Sequence, residues 1–181
     1  MSGSRRVGGW LRPVGAGLLL GVGWGVLARV YMRLVSTNPE FSWSGTLFIL
    51  GLAAVFGGTL GLVHAARSHG GRVWWRFAVL PGLLLFAGPG ALLFPAALLG
   101  GFAWGTRAWW PARVLAAAAV LALPVVVWET TSALDRIGIS VTVSVVGFWV
   151  LSVPLAAAGA TWFRRWPTRV AEPAPMEPAI A

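Results

Sequence analysis

The sequence predicts an all-α fold, a polytopic bundle of transmembrane helices, and three observations predict it. Hydrophobic residues make up 57% of the 181-residue chain and charged residues only 10%, too little polar surface to wrap a soluble globule of that size. The apolar residues gather in runs, several of them long enough to cross a bilayer, since about 20 residues at about 1.5 Å each span a hydrocarbon core of about 30 Å. The 14 basic residues are all arginines and fall mostly between those runs. The net charge of +9 is therefore read as loop charge on a membrane protein and not as a nucleic-acid footprint.

In chain order, residues 1–12 form a short basic stretch with Arg5, Arg6 and Arg12, and residues 13–163 form the transmembrane helical domain. Its spans are expected at about 13–35, 43–66, 73–87, 91–105, 111–131 and 141–163. Residues 164–181, with Pro173, Pro175 and Pro178 and few apolar side chains, are expected to form a disordered tail. Ser4-Arg5-Arg6 and the small residues near Ala28 allow a removable signal peptide. The further spans that follow favour retention of the first helix.

That helix carries Gly17, Gly21 and Gly25 at intervals of four, and the second span carries Ala53, Gly57, Gly61 and Ala65. Spacing of this kind lines up small residues on one helix face, where a neighbouring backbone can approach closely. The five glycines Gly17, Gly21, Gly25, Gly57 and Gly61 are the expected packing contacts. Glycine is also abundant in this chain, 24 residues in all, so chance alignment is the competing reading.

Residues 73–105 are too long for one span and short for two, with Gly88-Pro89-Gly90 in the middle. They read either as two short crossings, giving six spans, or as a re-entrant helical hairpin beside four spans. If both arms return the chain to its starting side, eleven of the fourteen arginines share one side; a single kinked span would leave seven there. The positive-inside rule therefore places both termini in the cytoplasm of a plasma-membrane protein.

Residues 29–43 collect polar groups between two apolar runs. They include the chain's one asparagine, Asn38, and its one tyrosine, Tyr31. Thr37 with Glu40 forms a capping-box pattern, or Asn38 caps a helix with Pro39 at its first position. Arg29 lies a turn deeper than Arg33, where an unpaired charge is costly. It calls for a carboxylate partner, with Glu129 the first candidate and Glu40 the second. Arg29, Arg33, Asn38, Glu40 and Glu129, edged by Tyr31, Trp43 and Trp128, form a candidate outer-leaflet polar cluster, either a buried pair that fixes helix packing or a site for an anionic ligand. The strings R-V-Y-M-R and T-N-P-E-F-S-W-S-G-T in this region resemble uncharacterised small multi-spanning membrane proteins of actinobacteria. The resemblance covers about the first third of the chain and implies a multi-helix membrane fold. It brings no activity, substrate or functional residue.

The absence of cysteine excludes thiolate chemistry and cysteine metal sites, and His64 and His69, five apart, do not have the spacing of a metal pair. No phosphate-binding loop, zinc-protease motif or serine elbow occurs. No cofactor, metal or catalytic residue is expected. The leading expectation is a non-enzymatic interaction or accessory subunit whose partners are membrane lipids and a protein partner or second copy held through small-residue faces, with no nucleic acid. The alternatives are a small-solute transporter or channel, its solute an anion, and a membrane-embedded lipid-processing enzyme.

Overall fold

The apolar runs become helices in the computed structural model, which describes residues 3–35, 42–88, 90–135 and 141–167, with side chains at 9–35, 42–88, 90–126 and 142–167. The described residues form α1 (Gly3–Val35), α2 (Trp43–Ser68), a 3-10 helix (Val73–Ala87), a 3-10 turn (Ala91–Leu93), α3 (Phe94–Gly105), α4 (Trp110–Asp135) and α5 (Val141–Phe163). The fold is all-helical among these residues, and three of the helices, over Gly9–Val35, Trp43–Ser68 and Thr142–Phe163, are long and apolar enough to cross a membrane.

Helix α1 begins ten residues ahead of the apolar run that opens at Pro13. Its first turns gain tertiary contacts that the sequence does not display: the Trp10 ring stacks on His69 at 5.4 Å and tilts against Trp75 at 5.6 Å. Such packing, more than propensity, stabilises helical turns. Helix α2 opens at Ser42, whose Oγ accepts a hydrogen bond from the Gly45 N–H at 3.2 Å. Ser42 thus takes the capping place that the sequence offered to Thr37 or Asn38; Thr37, Asn38 and Glu40 lie outside the described residues. The helix closes at His69, whose backbone N–H donates to the Ala65 carbonyl. Gly70, at φ +68°, then turns the chain through a region open to glycine at little cost.

The segment 73–105 forms two unequal arms. The first is 15 residues of 3-10 helix, far beyond the usual three or four; at about 2.0 Å per residue it reaches about 30 Å. The second, the 3-10 turn followed by the 12 residues of α3, reaches about 24 Å at the 3-10 and α-helical rises.

Helices α2 and α5 hold the centre. Helix α1 and the 3-10 helix pack on α2, α3 packs on α5, and α4 lies against α3 and, less closely, α5. Phe56, Leu60, Val79, Leu85, Phe86, Leu93, Ala97, Phe148, Leu151 and Leu155 form the shared core. Only 11% of the apolar stretch of α1 is buried, against 39% for α2 and 44% for α5. Leu18, Leu19, Leu20 and Leu27 accordingly face outward, an arrangement suited to a lipid solvent and costly in water.

Candidate functional site

The two ends of the bundle differ chemically. At one end the start of α2 meets the end of α1. Arg29 Nε donates to the Thr46 Oγ at 3.0 Å, and the Thr46 hydroxyl donates in turn to the Ser42 carbonyl at 2.8 Å. A half-buried guanidinium is thereby held by a hydroxyl in the first turn of α2. Tyr31, placed by the sequence at the edge of the polar cluster, donates its hydroxyl to the Ser144 carbonyl on α5 at 2.8 Å, and its ring covers Gly147. Arg33 is exposed at the same end. Asn38 and Glu40 lie outside the described residues. Glu129 falls within α4, but its side chain is not among those described. The structure therefore brings Arg29 and Tyr31 to neighbouring helices through Thr46 and Ser144, two residues that the sequence reading did not single out for contact. Their signal was weak: both are small hydroxyl residues near the ends of apolar runs.

At the other end the start of α1, the close of α2, the α3–α4 connection and the close of α5 converge. Arg67 donates to the Thr161 carbonyl at 2.8 Å and Arg76 to the Arg164 carbonyl at 3.1 Å. Trp166 donates its indole N–H to the Gly71 carbonyl, with the Arg76 guanidinium 5.9 Å from its ring centroid. Arg113 donates to the Ala103 carbonyl at 2.7 Å. Arg67 lies close enough to Arg76 and Arg164 for their charges to act on it. Trp74, Trp75, Trp104, Trp109 and Trp110 surround this end with their rings exposed, the composition of an aromatic belt at a membrane–water boundary. His64 and His69 belong here as well. His64 Nδ1 lies 3.5 Å from Arg67, and His69 Nδ1 lies 2.8 Å from the Ala65 carbonyl. Among the described residues no group of three potential metal ligands occurs.

Between the two ends α1 and α2 touch backbone to backbone. A methyl group placed on Gly17 would overlap the Gly57 carbonyl oxygen and stand 3.3 Å from the Gly61 Cα. One on Gly21 would overlap the Ala53 carbonyl, and one on Gly61 would overlap that of Pro13. Gly25 has more room, with the Ala53 Cβ at 3.0 Å. Two turns on from Gly17 and close to the same face of α1, Trp24 donates its indole N–H to the Leu151 carbonyl of α5 at 3.0 Å. From there towards the arginine-rich end α1 and α5 separate. The gap, about 690 Å³, is walled by residues 12–24 of α1 and 154–161 of α5 and floored by residues 53–64 of α2.

The sequence reading missed this cleft, because it depends on the angle between helices far apart in the chain. No family model matches this chain, and neither the curated proteins nor the solved structures include a match to it.

Proposed function

We infer that this chain is a polytopic plasma-membrane protein whose arginine-rich end, with both termini, faces the cytoplasm, and that it acts as an interaction or accessory subunit without turnover of its own. One observation carries the reading: most of the described arginine side chains and most of the exposed tryptophans gather at one end of a bundle whose helix sides are apolar and exposed, with Arg29, Arg33 and Trp43 at the other. Arginine on one side and tryptophan at the boundary are what orient and anchor a membrane bundle. The hairpin over residues 73–105 reads best as a short insertion from the cytoplasmic side, since its second arm falls short of the hydrocarbon thickness of about 30 Å.

The interaction role rests on α1. Gly17 and Gly21 are consumed by α2, but Gly15 and Gly23 have nothing within 4 Å of where a side chain would begin. These two glycines flank the exposed Leu19 and leave a notch on either side of it, into which another membrane helix can pack closely. Purification in mild detergent should yield an assembly larger than one chain. Gly15→Leu with Gly23→Leu should reduce it to a monomer with no loss of melting temperature, since neither substitution meets an internal neighbour. A wild-type protein that is monomeric under these conditions would contradict the interaction role.

A transporter or channel for a small anion is the second reading, favoured by the hairpin of unequal arms. Helices broken within the membrane commonly line solute sites. Thermal stabilisation by a single class of anion, with no partner in the detergent preparation, would select it.

A further inference from the structure

Three features of the cleft between α1, α2 and α5 bear on what fills it. The first is its composition. Leu20, Trp24, Phe56, Leu60 and Leu155 are among its lining residues, and the groups able to carry charge, Arg12 and His64, both lie towards the arginine-rich end. An apolar gap with so few hydrogen-bonding partners does not retain water. Beside lipid it takes in a hydrocarbon chain.

The second is its size. A volume of about 690 Å³ accommodates roughly twenty groups the size of a water molecule at about 30 Å³ each, and a methylene group occupies a similar space. From Arg12 to Trp24 the α1 wall is about 18 Å long at the helical rise of 1.5 Å per residue. An extended chain advances about 1.2 Å per bond, so the wall matches about fifteen bonds. One extended acyl chain fits that length.

The third is the mouth. Arg12 makes no hydrogen bond or ion pair among the described residues, unlike Arg67, which is engaged with the Thr161 carbonyl and lies by His64. Thr161 itself lines the cleft and turns its hydroxyl to its own helix, donating to the Ala158 carbonyl at 2.7 Å. The end of the cleft thus presents the guanidinium of Arg12, with Arg67 close by through its contacts to Thr161 and His64, which share the lining. A guanidinium pairs with a carboxylate through two parallel hydrogen bonds.

We propose that the cleft between α1, α2 and α5 is a binding site for one single-chain anionic amphiphile of the fatty-acid class, its chain lying along Gly17 to Trp24 and its carboxylate held by Arg12 at the mouth beside His64. The proposal rests on the membrane reading above only for the access route, since the ligand enters sideways from the bilayer. It gives α1 a lipid on one side and a protein partner on the other.

The test uses the full chain in a non-ionic detergent, with radiolabelled hexadecanoate as the probe, hexadecanol as its uncharged counterpart and a phosphatidylglycerol as the two-chain anionic lipid. Hexadecanoate should bind at one per chain. Ala157→Phe, on an exposed position of the α5 wall, should weaken retention at least about tenfold by occupying the space of the chain. Arg12→Gln should weaken hexadecanoate about tenfold through loss of the charge-assisted pair, and leave hexadecanol where it was. Should Ala157→Phe fail to fold, Ala16→Phe fills the cleft from the opposite wall, also from an exposed position. Hexadecanoate binding untouched by the filling substitution overturns the proposal, as does hexadecanol bound as tightly as hexadecanoate, or phosphatidylglycerol bound in place of both. The membrane reading is checked apart from this by carbonate extraction of cell membranes: release into the supernatant overturns that reading, whereas the detergent binding result decides the cleft in either case.

Discussion

Helix α1 meets its two neighbours by opposite means. Against α2 it removes side chains: Gly17 and Gly21 bring their backbone into contact with Gly57 and Ala53, leaving no space for even a methyl group. Against α5 it uses large ones: Tyr31 reaches the Ser144 carbonyl and Trp24 the Leu151 carbonyl. The first kind of contact closes a seam along its length, because dispersion between backbones falls off within fractions of an ångström. The second fixes two points near one end and holds the helices an aromatic ring apart, so that beyond Trp24 they are free to diverge. Along α1 the tight contact is made by small residues, and the cleft opens beyond the aromatic ones.

The contrast can be broken most severely at the closed seam. Gly57→Ala places a methyl group on the Gly17 carbonyl and should cost roughly 1–3 kcal/mol, the range for overpacking a closed contact, read as a lower melting temperature in detergent. Loss of one aromatic prop should cost less. Tyr31→Phe removes the hydroxyl that reaches Ser144 and keeps the ring over Gly147, with an expected loss of about 0.6 kcal/mol, the average for a hydrogen bond between membrane helices. The smallest effect, with the opposite sign, is expected from Gly51→Ala. It makes the same chemical change on the same helix as Gly57→Ala, at a glycine with nothing within 4 Å, and should gain about 0.5 kcal/mol from helix propensity. Equal effects of Gly57→Ala and Gly51→Ala in one melting experiment would mean that the seam is not closed.

The helical class was legible because composition decides it: a chain with so few charges cannot form a soluble surface, and its apolar runs have helical length. The four-residue recurrence of glycine on α1 and of small residues on α2 was legible because helix periodicity turns spacing into a face. Three features were not. The cap at Ser42 competed with Thr37 and Asn38 within six residues, all good capping types, and local rules rank them too closely to choose. The 3-10 form of residues 73–87 leaves no mark that distinguishes it from a short α-helix with Pro81 inside. The cleft follows from a divergence between helices more than a hundred residues apart, set by Trp24 and Leu151. For Arg29, the sequence argument sought a carboxylate, because a buried cation needs one in an apolar medium. Thr46 meets its Nε, and Glu40 and Glu129, the two carboxylates considered, lie beyond the described side chains.

The central claim is that α2 crosses the membrane with its arginine-rich end inside, and the absence of cysteine makes it directly measurable. Ser44 and Ser68 are exposed serines at opposite ends of this one helix. Single cysteines at the two positions, treated in intact cells with a membrane-impermeant maleimide, should behave differently: Ser44→Cys labels at once, and Ser68→Cys labels only after permeabilisation. Labelling of Ser68→Cys from outside, or equal labelling of both in intact cells, would contradict the account.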